Sequence, residues 1–272
     1  MINLGLNRKI SNVLSKNLND PESDIYKEIS SIAGETTESD SSVNTIRKII
    51  ENGRNGRDSI TSFVNEDITE LGDYIFKDCV NLEHVYLPNC TKLGNECFQN
   101  CTSLKTLLLP NVTEIANLSH YLDGLSNLEV IDLSSYDSNT FDRQYGCYGD
   151  SISVNQSKFP KLRILSYGKD GLSDGGGNIG WYELEILILP NLRHLGASSA
   201  CRANNIILPS SQVVSSYGGG SLSGTIYVND DILSEYQNHE KWHYWYDRGE
   251  ILPISQLPQE IREELELCQI QI

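Results

Sequence analysis

The chain has 272 residues, 39% of them hydrophobic, which suits one elongated domain with small appendages and does not require two globular cores. A formal charge of -16, from 37 acidic against 21 basic residues, repels phosphate backbones and anionic lipid, so nucleic acid is not an expected partner. The longest aliphatic runs, such as Leu107 to Leu109 and Ile186 to Leu189, are strand-length and far from the roughly 20 residues of a membrane helix, so no integral membrane protein is expected.

Residues 1–57 are polar and lack any repeat. The opening stretch, MINLGLNRKISNVLSKN, has basic residues but no continuous apolar run and no small-residue cleavage site, so no export signal is expected. Helical spacing at Ile25, Ile29 and Ile32, and again at Val43, Ile46, Ile49 and Ile50, predicts two short helices. Asp20 before Pro21, and Asp40, Ser41 and Ser42 before Val43, are N-cap candidates, Gly34 and Gly53 are natural stops, and GETTESDSS is a linker. Neither helix has enough apolar surface to fold alone. This segment is therefore expected to dock on the rest of the chain, on a symmetry mate or on another protein.

From residue 58 a repeat sets in. Leu71–Cys90 aligns without gaps on Leu93–Val112 at an offset of 22, so that Leu71, Ile75, Phe76, Cys79, Leu82, Val85, Leu87 and Pro88 become Leu93, Cys97, Phe98, Cys101, Leu104, Leu107, Leu109 and Pro110. Leu82 and the alternating Val85 and Leu87 point inward from a short strand, which leaves Tyr86 outward. Proline after Leu87, Leu109, Leu189 and Leu208 removes a backbone donor where each strand must end.

Weaker copies begin at Leu128, Leu162, Leu184, Ala203 and Ser223, so that successive first positions are 22, 24, 34, 22, 19 and 20 residues apart. The long step places an insertion between Ser134 and Phe159. Ile60, Phe63 and Ile68 keep the same offset of 22 upstream and predict a degenerate coil that caps the open strand edge. The expected fold is an α/β repeat, a solenoid over 58–229 with one parallel β-ladder of about seven short strands, flanked by N- and C-terminal helical segments. Seven cysteines is an odd number, and several fall at repeat-equivalent positions, which predicts reduced core thiols and no disulfide framework.

Residues 230–272 form a C-terminal cap and helical tail. QLPQEIREELELCQIQI predicts a helix from about Pro258 with Ile261, Leu265 and Cys268 on one stripe, able to pack on the last coil or to oligomerise.

The coils DYIFKDCVNLEHVYLPNC and NECFQNCTSLKTLLLPNV resemble the leucine-rich repeat of BspA-like bacterial proteins, with an aromatic, a small thiol, the strand and the proline in that order. TIYVNDDILSEYQNHEKWHYWYDRGEILPIS looks like the C-terminal closure of such arrays in gut bacteria and their phages. The resemblance covers about 58–255. It implies a leucine-rich-repeat solenoid used for recognition or adhesion, with no catalytic residues and no cofactor. The leaderless helical start followed by a short array is similar to structural proteins of bacteriophage particles. That likeness implies a virion component attached to other virion proteins through residues 1–57, with a host surface protein or glycan as its target. A bacterial cell-surface adhesin is the alternative, and a homo-oligomer is compatible with either.

Three motifs invite chemistry. His239-Glu240-x-x-His243 matches the zinc-peptidase pattern, in which two histidines one helical turn apart bind the metal, but it lies in the closure region where Trp242 serves as the capping aromatic. The glycine cluster over 168–180 lacks the Lys-Ser/Thr pair of a phosphate-binding loop, and its Asp170 and Asp174 lack the spacing of a calcium loop. Cys79 and Cys101 have no base beside them, so nucleophilic catalysis is not expected. Outward aromatics are the better binding candidates, namely Tyr86, Tyr136, Phe141, Tyr145, Tyr148 and Tyr217.

Overall fold

The computed structural model describes residues 57–116, 122, 124–136, 159–168, 171–172, 184–195, 200–216, 221–242 and 250–272. The chain divides into two compact units, Met1–Leu128 and Glu129–Ile272. The two predicted N-terminal helices, most of the insertion and most of the glycine cluster lie outside the described residues.

In the first unit each coil contributes two strands. One ladder contains β1 (Ser62–Val64), β3 (His84–Tyr86) and β5 (Thr106–Leu108), all parallel, with Phe63, Val85 and Leu107 in register. A lateral sheet contains β2 (Glu70–Leu71), β4 (Lys92–Leu93) and β6 (Glu114–Ile115). The predicted inward residues Leu82, Leu87, Leu104, Leu107 and Leu109 are all fully buried, as is the aromatic Phe98, which stacks on Phe76 at 5.6 Å. Ile60, Phe63 and Ile68 are buried too, so the degenerate first coil is a real one.

The coils hold together because backbone donors are satisfied by the neighbouring coil even where no strand exists. Tyr74, Phe76 and Asp78 donate their N–H groups to the carbonyls of Asn95, Cys97 and Gln99 at 2.8 to 2.9 Å. The turns that allow this need left-handed backbone at Tyr74 and Asp78, repeated at Glu96 and Asn100, and the Asn100 amide ties the second pair by donating to Asp78 Oδ1 at 2.7 Å. Asparagine side chains extend the stitching. Asn89 donates to Glu66 O at 2.6 Å and Asn111 to Pro88 O at 2.6 Å, one coil back each time. Gly94 marks a close approach between coils, since a Cβ there would lie 2.4 Å from the Gly72 carbonyl carbon.

Four of the described cysteines are core thiols. Cys79, Cys90, Cys97 and Cys101 are free and buried, and Cys97 and Cys101 donate from Sγ to Gly72 O and Phe76 O in the preceding coil, at 2.9 and 3.1 Å. Burial pushes the Cys79 and Cys90 thiols up to about 12 and raises Cys101 as well. These groups are packed and uncharged.

The second unit repeats the plan with longer strands. Its ladder runs β7 (Val130–Leu133), β8 (Ile164–Tyr167), β10 (Leu184–Ile188), β12 (Ala200–Leu208), β14 (Ser221–Val228) and β15 (Ile251–Pro253), all parallel. A lateral sheet contains β9 (Gly171–Leu172), β11 (His194–Leu195) and β13 (Ser215–Ser216). The register of β12 and β14 shifts between Arg202 and Asn205, where Gly224 has φ 139° and its absent Cβ makes room for the Ala203 carbonyl.

All seven predicted strands are present as β3, β5, β7, β8, β10, β12 and β14. The structure adds β1 and β15, and with β15 the closure region supplies a further rung as well as a cap. Between β14 and β15 lies helix α1 (Leu233–Asn238), whose buried Tyr236 packs edge-on against Trp242 at 5.7 Å. Trp242 Nε1 donates to Val214 O at 2.6 Å, and Val214 N donates to the Tyr236 hydroxyl at 3.1 Å, so this pair seals the coil through β13.

Helix α2 (Gln259–Leu267) starts at Pro258 as predicted, with Ile261 and Leu265 buried. It stops where Gln269 turns left-handed, with Gln269 N bonded to Glu266 O and Ile270 N to Leu265 O, both at 2.9 Å. The helix does not stop at the last coil. Glu264 Oε1 accepts from Arg163 Nη2 at 2.9 Å, which brings α2 against the start of β8.

Candidate functional site

The surface available for contacts on the first unit is the outward side of β1, β3 and β5. Strand alternation sends Phe63, Val85 and Leu107 inward and therefore turns Ser62, Val64, His84, Tyr86 and Thr106 outward. Ser62, Val64 and His84 are exposed, and Tyr86 and Thr106 are half-buried. Where the ladder begins, Lys105 Nζ donates to Glu83 Oε2 at 2.8 Å, and that bond with the lysine charge holds the Glu83 carboxyl below the usual carboxylate range. The ring of His84 places Nδ1 3.2 Å from Thr106 Oγ1 and Nε2 3.8 Å from Glu83 Oε2.

An acid, an imidazole and a hydroxyl thus stand in a row, and sequence reasoning missed this cluster. Its signal was the offset of 22 that puts Glu83 beside Lys105 and His84 beside Thr106 in adjacent coils. The row is a strip of polar groups that contact one another across adjacent coils. Glu83 is committed to Lys105, and the His84 side chain is 52% exposed, so water competes for every bond and the Thr106 hydroxyl gains no activation. Such a strip offers donors, acceptors, one charge of each sign and an aromatic edge to a protein or carbohydrate surface.

Of the predicted binding aromatics, Tyr86 lies in this strip. Tyr136 does not lie at the surface at all, which corrects the expectation. It is fully buried, with its ring 6.3 Å from that of Tyr167, because it stands three residues past Leu133 at an inward corner. Phe141, Tyr145, Tyr148 and Tyr217 lie outside the described residues.

The zinc-peptidase reading requires a helix through both histidines. Helix α1 ends at Asn238, His239 has extended backbone at ψ 132°, and His239 Nδ1 accepts from Lys241 N at 3.2 Å. His239 is therefore past the helix and its ring is engaged locally, while His243 lies outside the described residues. Among the described residues no group of three or more His, Cys, Asp or Glu side chains is placed to hold a metal ion, and no helix is long and apolar enough to cross a membrane. Asp170 and Asp174, the calcium candidates, are also outside them.

In the second unit the equivalent outward positions are occupied differently. Arg163 pairs with both Glu185 and Glu264, and although burial works against its charge, these two carboxylates hold the guanidinium above its ordinary value. Asp132 is 2% exposed on β7 and takes Ser134 N on Oδ1 at 3.0 Å.

Comparison with known families agrees with this geometry. The model described as BspA type Leucine rich repeat region (6 copies) matches residues 24–148. The match begins ahead of the first described coil and ends within the insertion, so the coils of β8 to β15 keep the ladder beyond the matched residues. No curated protein matches the chain.

Proposed function

We propose that this chain, a BspA-like leucine-rich-repeat protein, is a non-enzymatic binding module that makes its contacts through the outward strip of the first unit, around Tyr86. The observation that carries this reading is the strip itself: His84, Tyr86 and Thr106 outward on β3 and β5, with Glu83 and Lys105 paired just ahead of those strands, all half-buried or exposed and with no activated nucleophile. The finer assignment is to a bacteriophage particle, in tail, baseplate or capsid fibre. There residues 1–57 attach to other virion proteins and the solenoid is displayed toward a host surface protein or glycan. Support for this comes from the resemblance of the helical N-terminal segment and short array to phage structural proteins, and of the C-terminal closure to arrays in gut bacteria and their phages.

Binding of the labelled chain to host cells tests the contact surface. Tyr86→Ala combined with Lys105→Glu is expected to weaken binding by at least about tenfold, the scale of losing one aromatic anchor and reversing one charge. Unchanged binding by a folded double variant would remove the strip from the account. Mass spectrometry of purified particles tests the virion assignment, and recovery of the protein from the bacterial envelope alone would replace it with a cell-surface adhesin.

A further inference from the structure

The register of the first ladder rules its outward face into two rows. Ser62, His84 and Thr106 stand beside one another across β1, β3 and β5, and two residues further along Val64, Tyr86 and Leu108 do the same. One row carries two hydroxyls and an imidazole. The other carries a phenol ring between two aliphatic chains. Val64 is 51% exposed and Tyr86 is half-buried, while Leu108 is closed off at 5%.

The face is small. Two steps between strands make it about 10 Å wide between residue centres, and two residues along each strand make it about 7 Å long. A stable protein interface covers roughly 800 Å² on each partner, several times what such a face supplies. In the second unit β7 and β8 are buried at all four positions, so those strands add no wet area of the same kind. The dimensions suit a ligand the size of a mono- or disaccharide.

The chemistry narrows the class further. Glu83 and Lys105 cancel each other's charge at 2.8 Å, so this pair selects no charged ligand. Each hydroxyl of the polar row can both donate and accept a hydrogen bond. Nε2 of His84 lies 3.8 Å from Glu83 Oε2, beyond direct hydrogen-bond reach, which leaves it able to take a ligand hydroxyl. A ligand that matches both rows has hydroxyls along one edge, a C–H surface beside them and no net charge. A pyranose ring has all three, and a tyrosine ring is a suitable floor for its C–H face.

We propose that this two-row face binds a neutral glycan, with the C–H face of a pyranose ring against Val64 and Tyr86 and its hydroxyl edge on Ser62, His84 and Thr106. The proposal rests on the reading of this strip as the contact surface and names the class of ligand it takes.

The labelled full chain is tested on an array of neutral and acidic oligosaccharides. Retention on neutral ones is expected, and Tyr86→Ala is expected to weaken it at least about tenfold. No retention on any neutral oligosaccharide, preference for acidic ones, or equal retention by folded Tyr86→Ala overturns the proposal. Should Tyr86→Ala fail to fold, Thr106→Val keeps the side-chain shape and removes the hydroxyl; a loss of at least about threefold is expected, and unchanged affinity overturns the hydroxyl edge. Periodate treatment of host cells, which cleaves the vicinal diols of sugars, separates the glycan from the strip. Cell binding that falls in the Tyr86→Ala, Lys105→Glu double variant yet survives periodate leaves the strip as a protein contact and rejects the glycan. Cell binding that the folded double variant leaves unchanged rejects the strip itself.

Discussion

Leu104→Ala tests the inward ladder directly. Leu104 is fully buried, and its stacking neighbours on the same ladder, Leu82 and Leu128, are fully buried as well. The substitution removes three carbons at about 0.8 kcal/mol each, about 2.4 kcal/mol in transfer terms. Collapse around the gap is limited because its neighbours belong to coils whose spacing is fixed at about 4.8 Å by the parallel hydrogen bonds. A residual cavity therefore adds to the loss, and the expected cost is about 3 to 5 kcal/mol, in the upper part of the range for buried Leu→Ala changes. Urea unfolding followed by circular dichroism measures it, with Leu267→Ala as the control. Leu267 is 85% exposed, and its loss should stay within about 0.5 kcal/mol. A cost below about 1 kcal/mol at Leu104, or equal costs at the two sites, would refute the ladder as the source of stability.

Burial holds the Asp132 carboxyl above its ordinary value, against the pull of its hydrogen bonds to Ser134. The folded chain therefore takes up that proton at higher pH than the unfolded chain, so the charge costs stability at neutral pH and the cost fades as pH falls toward the ordinary aspartate range near ~4. Asp132→Asn keeps an oxygen for Ser134 N and should be more stable than the unaltered chain at about pH 7, with the gap closing at about pH 3; a gap that ignores pH would sink this account. Alkylation mapped by mass spectrometry should leave Cys79, Cys90, Cys97 and Cys101 unmodified until denaturant is added, because each is buried and burial pushes Cys79 and Cys90 up to about 12. Labelling of any of the four in the folded protein at a free-thiol rate would contradict their placement.

The interior of this fold was legible because a solenoid writes its core as a spacing. Leu82, Val85 and Leu87 recur one coil later, and one alignment locates strand, corner and core together. Tyr136 went astray although the same rule covers it. Cys90, Val112, Tyr136 and Leu192 all stand three residues beyond the last inward leucine of their strands and close the same tight turn, at 3.0 to 3.4 Å to that leucine's carbonyl. A tyrosine in a row whose other members are apolar is a core residue, and its polarity concealed that. The strand β15 was hidden for another reason: by register Leu252 stands beside the outward Tyr227 and Pro253 beside the inward Val228, so a proline occupies the place where β12 and β14 have their last inward aliphatic residue. The polar strip escaped because its members come from different coils and meet only when the ladder is closed.

The drift of the later coils has a physical cause in the second packing face. In the first unit β1 and β3 alternate, buried at Phe63 and Val85 and exposed at Ser62 and His84, as strands with one wet side must, and only β5 also buries an outward residue, Leu108. In the second unit β7 and β8 are buried at all four positions and β10 at four of five. Covering both sides removes the demand for polar residues at outward positions, and runs such as Leu184-Glu185-Ile186-Leu187-Ile188 replace the alternation. The repeat signature weakens there because the sequence satisfies two cores at once. Helix α2, with Ile261 and Leu265 buried, meets this ladder through Glu264 at Arg163, just ahead of β8. A variant that makes Ile186 and Ile188 polar should loosen α2 while leaving the inward leucines, and hence the ladder, in place.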